Sequence, residues 1–299
     1  MQLKNKKTFV AFLDILGFKK LIDDHYSGKN VNALPLLKIS LKEAEKFAIK
    51  YSKQYLKKYK IKFSFKQFSD CVSISMPLNP EHNISDSFGI FINVIRLYQL
   101  ILLDNNILIR GGISVGGHFE NSNIIFSDAL VKSYKLESQN AIYPRILVDK
   151  ELILEIEKNL INYPENSKIF YELYGDTLLK DWDDEVFISP IGIFNNIKNL
   201  NNVFDETELK NMFDDYSNVN KLGTDFTPDL IYEITENDNY EKKITKNILT
   251  FIDNYLIQNR NEKTDVLLKY KWLKQFIIWS KTPEKSKIKF SFLFINPEA

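Results

Sequence analysis

Residues 9–18 read Phe-Val-Ala-Phe-Leu-Asp-Ile-Leu-Gly-Phe, an apolar run that ends in an aspartate and a glycine turn. Its aromatic and branched residues predict a strand that ends at Asp14, and Gly17 predicts a turn into a short helix. A second aspartate, Asp70, lies between two strand-like runs, which predicts a β-hairpin with a carboxylate at its tip. Two carboxylates at strand ends are the minimum needed to hold a pair of divalent cations on a nucleoside triphosphate.

The composition limits the class of protein. The 299 residues are 44% hydrophobic and 13% aromatic, which is enough for a substantial core. Basic residues number 40 and acidic residues 39, so the net charge of +1 attracts neither nucleic acid nor an acidic membrane, and neither is expected as a partner. Cys71 is the only cysteine, which excludes an intrachain disulfide, and we expect it to be a small buried strand residue.

Two apolar segments raise the question of a membrane. Residues 9–18 carry an aspartate and no small-residue cleavage site, so the basic N-terminus does not predict a signal peptide. Residues 88–103 are interrupted by Asn93, Arg96 and Gln99 at helical spacing, which predicts an amphipathic helix with one wetted stripe rather than a membrane span. A soluble cytoplasmic protein is therefore expected.

Strand-like and helical segments alternate through residues 1–195, which we predict to be one α+β domain. Their order is strand, two helices, hairpin, helix, strand, helix and strand, as in a ferredoxin-like core whose central, mostly antiparallel sheet is flanked by helices. On such a core the end of the first strand and the tip of the hairpin lie side by side, so Asp14 and Asp70 are expected to converge. Because converging ionised carboxylates repel each other, the arrangement makes sense chiefly if cations lie between them.

The remaining residues, 196–299, are predicted to form a mainly helical extension packed on this core. They follow an asparagine-rich connection at 193–202. Two helices and a final strand are expected in the extension, near 240–259, 261–280 and 288–295. The aromatic residues Trp272, Phe276 and Trp279 are expected to form a packing face rather than a ligand cage.

Three motifs, in the same order and at comparable spacing, resemble those of the class III nucleotide cyclases. The first is the run that ends in Asp14, the second is Lys66-Gln-Phe-Ser-Asp70, and the third is Arg110-Gly-Gly-Ile with Gly116. In combination the three motifs are far more specific than any one of them. The resemblance implies the class III cyclase core fold for the first domain.

The resemblance also implies roles for individual residues. Asp14 and Asp70 would hold two magnesium or manganese ions, with the carbonyl of Ile15 as a further ligand of one ion. In the family, one ion activates the ribose 3′-hydroxyl for attack on the α-phosphate, and both hold the triphosphate. The turn at Gly17 and Phe18 would offer backbone N–H groups to the phosphates at a helix N-terminus.

A fourth motif departs from the common class III pattern, Gly-x-x-Val-Asn-x-Ala-x-Arg-Leu-Glu. Residues 127–137 read Ser-Asp-Ala-Leu-Val-Lys-Ser-Tyr-Lys-Leu-Glu, so Val131 stands at the asparagine position and Lys135 at the arginine position. A lysine still neutralises phosphate charge, although as a point charge. Together with Tyr-Pro-Arg-Ile at 143–146 and Lys-Tyr-Lys-Trp-Leu at 269–273, this helix is similar to the pyrimidine cyclase branch, the Pycsar antiphage cyclases.

The class III resemblance implies a homodimer with composite active sites, in which Lys135 reaches across from the other subunit, and the second resemblance implies the substrate and its biological role. The substrate would be UTP, which is favoured, or CTP, and the cyclic product would be sensed by a separate effector protein in antiphage defence. Two alternatives stay open. Val131 favours an inactive cyclase-like module that binds a nucleotide or a protein. A conventional adenylate cyclase is disfavoured because Ile124 stands where those enzymes place a carboxylate.

The roles of three further residues stay open at this stage. Lys66 is either a base contact or an exposed strand lysine. Arg110 is either a phosphate ligand or an ion-pair partner within the domain. Glu137 either orients Lys135 or serves only the end of its helix.

Overall fold

The computed structural model describes residues 6–59, 62–162, 177–191, 238–281 and 291–292. Within these ranges the strands are β1 (Lys6–Ile15), β2 (Ser64–Phe68), β3 (Cys71–Pro77), β4 (Ile109–Glu120), β5 (Ile125–Ser127), β6 (Ile146–Val148), β7 (Leu178–Lys180), β8 (Val186–Ile188) and β9 (Ser291–Phe292). The helices are α1 (Phe18–Tyr26), α2 (Ala33–Tyr59), α3 (Ile84–Asp104), α4 (Asp128–Asn140), α5 (Lys150–Asn162), α6 (Asp238–Gln258) and α7 (Thr264–Lys281). The strand, turn and helix predicted around Asp14 and Gly17 are confirmed.

The described strands form one sheet in the order β2-β3-β1-β4-β6-β8-β7-β9, with β5 paired to β4 beside this path. The pairing of β4 with β6 is parallel, and the other pairings among these strands are antiparallel. Helix α3 packs on one face of β1 and β4, and α4 packs on the other. This arrangement confirms the predicted α+β core with a central, mostly antiparallel sheet flanked by helices.

One face of β1 supplies the hydrophobic core. Phe9, Ala11, Leu13 and Ile15 are buried, and Phe9 stacks on Phe91 of α3 with ring centroids 5.5 Å apart. Each large apolar side chain that is fully buried contributes roughly 1.5–3 kcal/mol to folding. Since successive side chains of a strand point to opposite faces, the residues between these four project toward α4.

Helix α3 lies inside the protein rather than at its surface. It is long and apolar enough to cross a membrane, but 94% of its most apolar stretch is buried inside the protein. The prediction of a wetted stripe is wrong, because Asn93, Arg96 and Gln99 are all buried. Arg96 donates from Nε to the Ser189 carbonyl at 2.7 Å and from Nη1 to Oγ1 of Thr177 at 2.8 Å. Residues far away in sequence therefore bind Arg96 inside the protein, which helical periodicity alone does not reveal.

Helices α6 and α7 pack against each other, and α6 also contacts α3. Trp272, Phe276 and Trp279 of α7 are buried, and Trp272 stacks on Phe276 with centroids 5.6 Å apart, so they form a packing face as expected. The asparagine-rich connection and the predicted domain boundary after residue 195 lie outside the described residues. Of the predicted final strand the structure describes Ser291–Phe292, which pairs with β7.

Candidate active site

Four side chains form a row across one face of the sheet at the C-terminal end of β1. Asp14 is paired with Cys71 of β3 on one side and with Arg110 of β4 on the other, and Cys71 is paired with Phe68 of β2. Residues directly opposite each other in antiparallel strands point to the same face of the sheet. The four side chains therefore project from the face opposite to the core.

Asp70 lies at the tip of the β2–β3 hairpin, directly beside the end of β1. The turn contains Ser69, which has a positive φ of 55°, and the N–H of Ile15 donates to the Asp70 carbonyl at 3.0 Å. This hydrogen bond ties the hairpin tip to β1. One carboxylate oxygen of Asp14, one of Asp70 and the sulfur of Cys71 all lie within 4.8 Å of one another. The two carboxylates thus converge, as the predicted topology requires.

Arg110 links Asp14 to a buried carboxylate on helix α4. Its Nε lies 3.1 Å from Oδ2 of Asp14 and 2.8 Å from Oε1 of Glu137, and its Nη1 donates to the Ala141 carbonyl at 3.3 Å. The side chain of Glu137 is 4% exposed, whereas that of Arg110 is 26% exposed. Of the two roles considered for Arg110, the ion pair is present in the structure, and phosphate binding stays a prediction.

Burial and mutual repulsion shift the titration of these acids. Burial raises the pKa of Asp14 against the opposing effect of Arg110, the charge of Asp70 adds to the rise, and the charge of Lys269 opposes it. Burial raises the pKa of Glu137 to about 7, opposed by Arg110 and reinforced by Asp14 and Asp70. Three acids around one arginine leave an excess of negative charge, which a bound cation would neutralise.

The turn after β1 presents a helix N-terminus beside these acids. Gly17 is the N-cap of α1 and adopts φ 78° and ψ 13°, in the left-handed region that favours glycine. Among the described residues no side chain caps α1 and its first turn holds no acid, which leaves the N–H groups near Phe18 for another partner. Such N–H groups bind phosphates in many proteins. Phosphate binding at Gly17 and Phe18 stays a prediction that this geometry permits.

Lys66 lies on the same face of the sheet as the acids. It is paired with Ser73, which in turn is paired with Phe12 of β1. Phe12 contacts Phe68 with ring centroids 6.1 Å apart and meets Tyr134 of α4 edge-on at 5.4 Å. Lys66 therefore borders an aromatic surface next to the acids, where a base contact is geometrically open to it.

Helix α4 crosses this face and is held close to the sheet. Ser133 donates to the Val10 carbonyl at 2.8 Å, and a Cβ on Gly112 would lie 2.4 Å from the Ser133 carbonyl oxygen, so this approach requires glycine. Val131 and Lys135 are exposed on α4. Within the described part of this single chain, no hydrogen bond or ion pair joins the Lys135 side chain to either aspartate. A contribution of Lys135 from a second subunit stays a prediction.

Sequence reasoning missed Cys71 as a neighbour of the acids. The expectation that it is fully buried is wrong, since Cys71 is half-buried, with Sγ 3.6 Å from Oδ1 of Asp70 and 4.0 Å from Oδ1 of Asp14. Burial and the charges of Asp70 and Asp14 raise the pKa of its thiol to about 12. The sequence does not predict that Glu137 pairs with Arg110, because this contact depends on how α4 crosses the sheet. The pairing of Asp14 with Cys71 could have been inferred from the hairpin register.

The donors present fit a divalent cation. Carboxylate and backbone carbonyl oxygens are the ligands that magnesium and manganese prefer. Two oxygens that bind one cation lie at most two metal–oxygen bonds of about 2.1 Å apart. The carboxylate oxygens of Asp14 and Asp70 lie within 4.8 Å of each other, which is close to that limit. The Asp14 side chain is 16% exposed, so the cluster is open to solvent. Asp14, Asp70 and the Ile15 carbonyl are therefore candidate ligands.

Comparisons with known proteins give a likeness of fold. No protein-family model and no curated protein matches the chain. A class III adenylyl cyclase-like ATP-binding protein from Pseudomonas aeruginosa is 11% identical with a TM-score of 0.36, covering 51% of this chain and 35% of that one. A bacterial light-regulated adenylyl cyclase is 14% identical with a TM-score of 0.35, covering 64% of this chain and 54% of that one. The chain thus spans about a third to about half of these structures, and at such identities the likeness does not extend to activity.

Proposed function

We propose that this protein is a nucleotide cyclase that converts a pyrimidine nucleoside triphosphate, UTP in preference to CTP, into its 3′,5′-cyclic monophosphate and diphosphate. The observation that carries the proposal is the convergence of the Asp14 and Asp70 carboxylates, with one oxygen of each within 4.8 Å. They lie beside an uncapped helix N-terminus at Gly17, which supports binding of a polyphosphate at the same place.

Two magnesium or manganese ions held by Asp14, Asp70 and the Ile15 carbonyl would supply Lewis-acid activation of the 3′-hydroxyl and of the triphosphate. Arg110 orients Asp14 by holding its Oδ2, and Glu137 holds Arg110 in turn. In the reaction a bond forms between the ribose O3′ and the α-phosphorus. The bond from the α-phosphorus to the oxygen bridging to the β-phosphate breaks, and the hydroxyl proton passes to water.

The exposed side of α4 and its flanking strand support a homodimer. Phe126, Val131 and Tyr134 are 70%, 51% and 51% exposed, although their side chains are apolar or aromatic. A second copy of the chain would cover this surface and bring Lys135 toward the phosphates of the first copy. Apolar area of this kind commonly marks an interface between proteins.

The environment of the base supports a pyrimidine. Lys66 lies on the site face two strands away from Phe12, and position 124, just before β5, holds an exposed isoleucine rather than a carboxylate that could share the base with Lys66. A single lysine donor suits the carbonyl of a pyrimidine. A base without an acceptor at that place would leave the lysine unpaired in the pocket and would bind less well. The similarity of residues 127–146 to the Pycsar branch supports a cytoplasmic second messenger that a separate effector senses in antiphage defence.

An inactive module that binds a nucleotide or protein is the second candidate. Val131 favours it, because a valine cannot replace the amide that stabilises the transition state in the common class III pattern. Retention of both aspartates beside an uncapped helix N-terminus favours catalysis. Adenylate cyclase activity remains the third candidate.

Product identification separates the three. The purified protein is incubated with each of the four ribonucleoside triphosphates and manganese, with an EDTA sample as the control, and the products are identified by mass spectrometry. We expect cyclic UMP as the main product, with less cyclic CMP. Cyclic AMP alone would rule out a pyrimidine cyclase, and the absence of product from every triphosphate would favour the inactive module.

A further inference from the structure

Cys71 lies in the row of side chains that carries the acids, yet the proposed reaction gives it no role. It is paired directly with Asp14 across β3 and β1, and it follows Asp70 at the tip of the hairpin. Directly opposed residues of antiparallel strands point to the same face of the sheet. Cys71 is half-buried rather than enclosed in the core. The strand register therefore holds a thiol beside both acids.

The sulfur lies at distances from the two carboxylates that one cation can bridge. Sγ of Cys71 is 3.6 Å from Oδ1 of Asp70 and 4.0 Å from Oδ1 of Asp14. A tetrahedral cation with bonds of about 2.3 Å to sulfur and about 2.1 Å to oxygen holds these two atoms about 3.6 Å apart. Asp70 already meets this spacing, and a small rotation of the Asp14 side chain meets it as well.

The three groups have more acceptors than hydrogens. The thiol carries one hydrogen, so it can donate to only one of the two carboxylates at a time. Arg110 holds Oδ2 of Asp14, which leaves Oδ1 facing the sulfur. In the described part of the chain, no other hydrogen bond reaches Oδ1 of Asp14 or Oδ1 of Asp70. A cation in place of the thiol hydrogen would satisfy all three atoms at once.

The combination of donors distinguishes between cations. Two carboxylate oxygens and one sulfur suit zinc and cobalt, which accept thiolate as well as carboxylate ligands in tetrahedral sites. Magnesium binds oxygen ligands and does not select thiolates. Cys71 therefore adds to the affinity of this cluster for zinc and cobalt, and it adds nothing for magnesium.

We propose that Cys71 is a ligand at this cation site, and that Asp14, Asp70 and Cys71 together bind a thiophilic divalent cation such as zinc. The inference rests on the proposed function for the role of the two acids as cation ligands. Binding forms a bond between the sulfur and the metal, breaks the S–H bond and releases the proton to water. A cation bound in this way competes with magnesium and manganese for the acids, so the sulfur influences which cation occupies the site.

The test is cobalt and zinc binding by the full-length chain without nucleotide. Because Cys71 is the only cysteine, a thiolate-to-cobalt charge-transfer band in the near ultraviolet can come from this residue alone. We expect the band in the wild type and its absence in Cys71→Ser. The zinc affinity, measured by competition with a chromophoric chelator, should fall roughly a hundredfold in Cys71→Ser. The magnesium affinity, measured by calorimetry, should hardly change.

Two control variants separate this site from a thiol that binds metal on its own. Cys71→Ser combined with Ser27→Cys keeps one thiol in the chain but moves it to the exposed far end of α1, so it should give no band. Asp70→Asn keeps Cys71 and removes a charged oxygen ligand, so the zinc affinity should fall roughly tenfold. A band in the double variant, or unchanged zinc affinity in Asp70→Asn, would overturn the inference.

Alkylation of the wild-type thiol by iodoacetamide needs no variant. Zinc should slow the reaction, because the sulfur that binds the metal is no longer free to attack the reagent. An alkylation rate that does not change with zinc would contradict sulfur ligation.

The outcomes also separate this inference from the proposed function. A wild type that forms a cyclic nucleotide but shows no thiolate-to-cobalt band would overturn the inference and leave the cyclase intact. A wild type that shows the band, with the loss in Cys71→Ser, but forms no cyclic product would support the inference and contradict the cyclase. A wild type that binds no divalent cation would overturn both.

Discussion

Two arginines of this protein each bridge two acids, yet their surroundings differ. Arg145 is fully buried, bonds Asp181 and Asp183, and lies with its guanidinium 5.2 Å from the ring centroid of Tyr143 and 5.9 Å from that of Trp272. We call this set the Arg145 cluster. The Arg110 cluster consists of Arg110 with Asp14, Glu137 and the neighbouring Asp70 and Cys71, and it is open to solvent at Asp14 and Arg110.

The two clusters differ in how far solvent reaches the arginine and in how many acids share it. In the Arg145 cluster the guanidinium lies between two acids and two aromatic rings and is fully buried, so solvent does not reach it. In the Arg110 cluster three acids share one arginine. Burial raises the pKa of Asp14 and Glu137, as it raises the pKa of Asp181 in the Arg145 cluster, so the direction of these shifts does not separate the two clusters. We expect the solvent-accessible cluster with three acids to bind a cation, and the cluster with a fully buried arginine to stabilise the fold.

The largest expected effect is on activity, at the open cluster. Asp70→Asn should lower kcat/KM roughly a thousandfold, because a bound cation loses a charged ligand. The free energy of unfolding measured in EDTA should not fall, since the change removes repulsion between Asp70 and Asp14. Steady-state kinetics with manganese and urea denaturation measure the two quantities.

Asp23→Asn is the matched control for that variant. It makes the same chemical change at an exposed aspartate of α1 and should leave turnover unchanged. Undiminished activity in Asp70→Asn would show that Asp70 is not a cation ligand. The Arg110 cluster would then have no support as an active site.

The next effect is on stability, at the closed cluster. Arg145→Met should reduce the free energy of unfolding by about 3–5 kcal/mol, because it leaves the buried Asp181 and the half-buried Asp183 without their cation. Arg110→Met should lower the free energy of unfolding by less than Arg145→Met does, because solvent reaches Asp14 and Glu137 can take up a proton. It should lower catalytic activity by more than Arg145→Met does. Urea denaturation followed by circular dichroism measures the difference. Equal stability losses in the two variants would mean that the clusters do not differ as described.

The smallest effect is a pH dependence of stability at Glu137. Its pKa is about 7 in the folded protein against 4.5 for an ordinary glutamate, so the folded state binds more protons between these values. The stabilising contribution is fully present below pH 4.5 and is lost as the pH rises through 7, by at most about 3 kcal/mol. In EDTA, the wild type should therefore lose stability relative to Glu137→Gln between pH 4.5 and pH 8.

Thermal unfolding across this range checks the sign. A difference between wild type and Glu137→Gln that stays constant with pH would show that Glu137 is ionised in the folded state throughout. The acids around Arg110 would then not raise the pKa of Glu137.

The sequence predicts the parts of the site that depend on local pattern. Asp14 ends an alternating strand and Asp70 tips a hairpin, and the order of elements is enough to place both at one end of the sheet. The parts that depend on long-range packing are not predictable in this way. Glu137 meets Arg110 only because α4 crosses β4 at Gly112, and Arg96 is buried because Thr177 and Ser189 cover it.

Alternate residues of each paired strand face the site, so the site depends on whether a residue has an even or an odd number. On the face that carries the acids the strands contribute even-numbered residues from β1, β2 and β4 and odd-numbered residues from β3, as in the row of Phe68, Cys71, Asp14 and Arg110. Deleting a single residue from the middle of β1 would shift this count by one and carry the aspartate to the core face. The site would then be lost although every side chain that forms it was still encoded.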